Sequence, residues 1–122
     1  MKWIIMMFGD QATMTEVRTH EWIREMIQFM TNIGQELEES GELVASEGLA
    51  DPSQARTVRF QAGVPVPTDG PFAESKESLA GYYIVESSEE RAIEIASKIV
   101  AFIEEPIEVR QVMDAPPAEY TS

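Results

Sequence analysis

Asp69-Gly70-Pro71-Phe72 lies within Thr68–Lys76, a stretch that runs through Gly81 into the apolar Tyr82-Tyr83-Ile84-Val85. Here an acid, a glycine, a proline and an aromatic share one turn. A carboxylate at position 69, held in a partly desolvated cleft, would serve as a general base. Gly70 would let a ligand approach the backbone, Pro71 fixes the corner, and Phe72 offers a pocket an apolar wall. Arg59 and Lys76 are the basic residues nearest this loop in sequence and suit a carboxylated substrate. Tyr83 adds a polar tip on an apolar body. Each has a plainer reading. Asp69 also suits an Asx-turn, Phe72 and Tyr83 suit ordinary core, and the two cations suit surface pairs with Glu74 or Glu77.

Two further titratable residues stand apart from the loop. His20, the single histidine, is the residue type best fitted to proton transfer near neutrality, and it also fits a half-buried, inert position at a helix stripe edge. Glu47 alternates with Leu43, Ala45 and Leu49, which predicts an inward-looking carboxylate that must be paired, protonated or part of a site.

Composition removes several chemistries. The chain of 122 residues has no cysteine, so thiolate catalysis, disulfides and Cys-based zinc sites are excluded. The acidic residues have no metal-binding loop spacing, and there is no phosphate loop, nucleophile elbow or dinucleotide fingerprint, so neither metal nor cofactor is expected. A net charge of −13 argues against nucleic acid and against an anionic membrane surface. The longest apolar run, Trp3–Phe8, is too short to span a bilayer, and no small-residue cleavage site follows Met1-Lys2; a cytoplasmic protein is expected.

The elements that must position these residues follow from periodicity. Trp3–Phe8 is an unbroken apolar run ending at Gly9-Asp10, which predicts a strand buried on both faces. Thr13 with Glu16 forms a capping box opening one long helix, with Ile23, Met26, Ile27, Met30, Ile33, Gly34 and Leu37 as its stripe and Gly41 as its left-handed terminus. Leu43–Leu49 reads as a strand, and 57–60 with 64–67 as a hairpin whose Pro65 and Pro67 confine that arm to an edge. After the loop comes a strand at 82–86. A second capping box at Ser87 and Glu90 opens a helix with the stripe Ala92, Ile93, Ala96, Ile99, Val100 and Ile103, stopped by Pro106. The last strand covers 107–113, leaving one domain over 1–113 and a loose tail over 114–122.

That order is an α+β, ferredoxin-like βαββαβ arrangement with an inserted hairpin. Two helices cover one face of such a sheet, yet the strands at 3–8 and 82–86 are apolar on both. The simplest cover is a second copy of the same sheet in a two-fold dimer, so a homodimer is expected.

With these elements placed, the sequence resembles the YCII-related family, in particular its DGPF-motif branch. The resemblance rests on Gly9-Asp10, Glu38-Glu39-Ser40-Gly41, Glu47-Gly48-Leu49, Thr57-Val58-Arg59, the motif Thr68–Glu77 and Gly81-Tyr82-Tyr83. It implies a ferredoxin-like domain pairing into a dimeric α+β barrel, and for some members a link to extracytoplasmic-function sigma factors. Shorter members carry a His–Asp pair with the histidine about three turns before the glycine that closes the first helix. Counted back from Gly41, that place is near Met30, and no histidine stands there. The pair is therefore not transferable, and His20 is no substitute for it. Two functions are consistent with the residues: binding of a small organic molecule in a cleft beside the loop, with acid–base chemistry as the reaction type its residues allow, or a non-catalytic regulatory role beside a sigma-factor-linked partner.

Overall fold

Lys2–Phe8 (β1) and Leu79–Glu86 (β5) lie antiparallel at the centre of a four-stranded sheet, flanked by Leu43–Gly48 (β2) beside β5 and Ile107–Val112 (β6) beside β1. The structure is a computed structural model that describes residues 1–72 and 77–121. The order β2-β5-β1-β6 is the ferredoxin-like arrangement. Arg56–Gln61 (β3) and Val64–Asp69 (β4) form a separate two-stranded sheet.

Among the described residues three α-helices accompany the strands: Gln11–Val17 (α1), His20–Glu39 (α2) and Glu89–Ile103 (α3). The single long helix expected from Thr13 is thus two. Thr13 is not its cap; its amide and hydroxyl both donate to the Asp10 carboxylate, the true N-cap of α1. The chain is extended at Arg18 and Thr19, and the Thr19 hydroxyl restarts a helix by accepting from the Trp22 amide at 3.0 Å. Position 13 has the right residue type, but Asp10 accepts the bond more strongly as a charged group. At the other end Gly41 has φ +80° and the Glu42 amide bonds the Leu37 carbonyl, the left-handed terminus expected. α3 is capped by Ser88, one residue beyond the Ser87 expected, and ends with Glu104 in left-handed conformation.

The core fills one face of the sheet. Trp3 and Ile5 of β1 and Tyr83 and Val85 of β5 alternate inward and meet Ile33 and Leu37 of α2 and Ala92, Ile95, Ala96 and Ile99 of α3. The small Ala92 and Ala96 give α3 room to lie close on the sheet. Its buried stripe is turned from the one expected: Ile95 is in the core, while Ile93 and Val100 are exposed. In α2 the first half is held by rings. Phe102 stacks on Phe29 at 4.7 Å between centroids and tilts against Trp22 at 5.6 Å, and Arg18 caps this ladder by lying over Trp22 and donating to the Ile103 carbonyl.

Among the described residues, the core contacts of α2 and α3 all lie on the first face. Ile4 and Met6 of β1 alternate away from the core, and their partners across the sheet are Ile84 and Tyr82. Among the described residues, no helix is long and apolar enough to cross a membrane.

Candidate functional site

The loops at the base of the hairpin converge on one recess of about 240 Å³, walled by Leu49, Pro52, Ala55, Pro71 and Leu79. Its polar groups are Asp51, Gln54 and Ser78. Three short backbone bonds assemble it: Gly9 N–H to the Ser78 carbonyl at 2.9 Å, Leu49 N–H to Ala80 at 2.8 Å, and Gly70 N–H to Ala55 at 2.8 Å. The recess therefore sits where the hairpin leaves the sheet.

Asp51 is the residue on which these loops depend, and it reads from sequence as the first residue of an unremarkable Asp-Pro-Ser turn. One carboxylate oxygen accepts the Gln11 amide at 2.8 Å, forty positions away; the other accepts the Ser53 amide at 3.1 Å. The Ser53 hydroxyl, then the Gln11 and Ser53 amides, hold its carboxyl below the usual carboxylate range, so it is charged at neutral pH. A long-range tie of this kind leaves no local signal.

The residues nominated from sequence do not gather here. Pro71 does line the recess. Asp69 closes β4 with its side chain 95% exposed and its carboxylate 3.0 Å from Arg56, so the desolvated cleft expected around it is absent. Among the described residues Arg56 is its cation. Gly70 has φ +96°, and an added Cβ there would meet no other atom within 4 Å, so its requirement is conformational. The Thr57 hydroxyl donates to its carbonyl at 2.8 Å, locking that conformation. Phe72 is 84% exposed and walls nothing. Lys76, with Glu74, lies outside the described residues.

The remaining candidates are scattered. Arg59 stands exposed on β3. His20 is exposed at the first turn of α2, in a shallow depression with Glu21, Arg24, Glu25 and Gln28, all from one helix and so with a single wall. Glu47 is a clear correction. A bulge between Leu43 and Ala45 inserts Val44 into β2, so that Leu43 pairs with Val85 on the core face while Ala45 pairs with Ile84 and Glu47 with Tyr82 on the open one. Glu47 is exposed and needs no buried partner. Tyr83 is core: it is 4% exposed, and its hydroxyl donates to the Met30 carbonyl at 2.6 Å. Burial pushes that hydroxyl up to about 12. It is not available to a ligand.

Among the described residues, no three His, Asp or Glu side chains are grouped to hold a metal ion. Residues 1–116 match the family profile of the YCII-related domain. The chain belongs to the YCII-related family. It is also similar to the uncharacterized protein R00369 of Rhizobium meliloti (strain 1021), 28% identical over 97 residues, spanning 79% of this chain and 77% of that protein. The Met30 carbonyl, in the middle of α2, is occupied by the Tyr83 hydroxyl.

Proposed function

We propose that this YCII-related chain is the binding protomer of a two-fold dimer, and that it takes a small organic molecule in the recess beside the Asp-Gly-Pro-Phe loop. The observation that carries the reading is an apolar-walled recess whose one charged lining residue, among the described residues, is the anionic Asp51. Such a site favours a compact ligand that is neutral or cationic and donates a hydrogen bond, since the Gln11 and Ser53 amides and the Ser53 hydroxyl still leave the Asp51 carboxylate a further lone pair. It disfavours the carboxylated substrate that Arg59 and Lys76 would suit. A volume of about 240 Å³ fits a molecule of a few heavy atoms. Titrating the protein with n-butylammonium and with butyrate, matched in size and opposite in charge, tests the reading through the Leu49 and Leu79 methyl signals.

The two-fold dimer is supported by the open sheet face. Ile4, Met6, Tyr82 and Ile84 are half-buried neighbours on the face opposite the core, and no core residue of α2 or α3 among the described residues packs on them. Placement in the DGPF-motif branch is supported by Thr68-Asp69-Gly70-Pro71-Phe72 and Gly81-Tyr82-Tyr83. Asp51 is committed to two backbone amides, which favours binding over turnover as its role. A second reading, a regulatory protein meeting a basic partner such as one tied to an extracytoplasmic-function sigma factor, draws on the 22 acidic residues against 9 basic. Its mark would be an affinity for that partner that falls as salt rises.

A further inference from the structure

The hairpin has two unlike edges. Pro65 and Pro67 both lie in β4, opposite Phe60 and Val58. Neither has an N–H, so the ladder to β3 must be made by the residues between them. The register agrees: Gly70 N–H bonds the Ala55 carbonyl, and Val64, Val66 and Thr68 face Gln61, Arg59 and Thr57 in the same parity. The prolines therefore sit on the outer edge of β4 and close it to any further strand. By the same alternation, the N–H and C=O groups of Arg56, Val58 and Phe60 point away from β4 along the outer edge of β3. Among the described residues none of these groups has a backbone partner outside the hairpin. Their side chains are uncovered too, Val58 at 64% and Phe60 at 78% exposure.

We infer that the outer edge of β3 pairs antiparallel with β3 of a second copy of this chain, joining two hairpins into one four-stranded sheet. A two-fold axis at Val58 makes this edge self-complementary. Val58 then stands opposite Val58 of the partner subunit, Thr57 opposite Arg59, and Arg56 opposite Phe60, with no like charges face to face. An axis at Arg59 would oppose two guanidinium groups and is disfavoured. Charge also favours the hairpin as the place of contact. Residues 56–69 hold two arginines and one aspartate in a chain of net charge −13, so two copies would meet here through a nearly neutral segment with little charge repulsion. An isolated two-stranded hairpin is marginal in water, and two more strands relieve that. The inference is independent of the recess and of the open face of the main sheet.

The chain has no cysteine, so one introduced thiol is unique. In a hydrogen-bonded antiparallel pair the facing Cα atoms are about 5.5 Å apart, within the range a disulfide spans. Val58→Cys, oxidised with diamide at micromolar concentration, is expected to run as a linked pair on a non-reducing gel. Arg59→Cys, exposed on the same strand but offset from its own copy, is expected to remain single. Val58→Pro removes an outward N–H without touching the ladder to β4 and is expected to lower the solution mass about twofold, or to leave the Ile84→Asp variant, altered on the sheet face, fully monomeric. Equal linking of both cysteines, or none by either, together with an unchanged mass for Val58→Pro, would overturn the inference. Because Ile84→Asp leaves β3 intact, loss of the sheet-face contact and loss of this one are read separately.

Discussion

The Tyr83 hydroxyl donates a 2.6 Å hydrogen bond to the carbonyl oxygen of Met30, tying the central strand of the sheet to the middle of α2. This part of α2 is given over to packing. Tyr83 is buried and its hydroxyl is raised to about 12. A group raised above its unfolded value contributes stability that is complete below about pH 10 and lost as pH rises through the folded value. In an absorbance titration at tyrosinate wavelengths, one of the three tyrosines should ionise last, near pH 12, together with loss of structure. Tyr83→Phe should cost about 1 kcal/mol at neutral pH and abolish that late step.

The acid limb of stability should rest partly on Glu42. Arg91 donates to both of its oxygens, at 2.9 and 3.1 Å, and the Ser40 hydroxyl donates at 2.8 Å. Arg91, then Ser40, hold the Glu42 carboxyl below its ordinary value. A depressed carboxylate contributes stability that is present above its unfolded value and disappears as pH falls through its folded one. Denaturant midpoints should therefore fall between about pH 5 and 3, with a shallower fall in Glu42→Gln. That variant should cost about 1.5 kcal/mol at pH 7 because the pair joins α3 to the start of β2 in a partly sheltered site.

Asp69 and Gly70 should separate cleanly although they are neighbours. Asp69→Asn loses only an exposed pair with Arg56 and should change stability by less than about 1 kcal/mol, leaving recess binding unchanged. Gly70→Ala forces a side chain onto φ +96° and should cost about 1–3 kcal/mol in chemical denaturation.

The open sheet face gives a prediction about size. Wild-type protein at micromolar concentration should scatter light as at least twice 13.7 kDa, and Ile84→Asp, which puts a charge among Ile4, Tyr82 and Met6, should reduce that mass while α2 and α3 keep their circular dichroism.

The sheet order, the hairpin and α3 were legible because each is written in local periodicity and turn chemistry, as with Pro65 and Pro67 or Gly41. What was not legible depends on choices between neighbours or on distant contacts. Asp10 outcompetes Thr13 as a cap, and Thr19 restarts the helix. A single inserted residue, Val44, turns Glu47 from the core face to the open face. The site was harder still. Asp69 and Phe72 draw notice by residue type but face solvent, whereas Asp51 acquires its importance from Gln11, whose amide reaches it only once the chain has folded.

The recess holding Asp51 is the proposed seat of a small neutral or cationic molecule. It is tested most directly by following the Leu49 and Leu79 methyl signals during titration with n-butylammonium, beside butyrate, in wild-type protein and in Ala55→Leu, whose added side chain fills the recess. Saturable shifts with the ammonium ion, weaker or absent with butyrate and lost in Ala55→Leu, are the predicted result. Equal responses to both ions, shifts that survive Ala55→Leu, or no response at all would contradict the account.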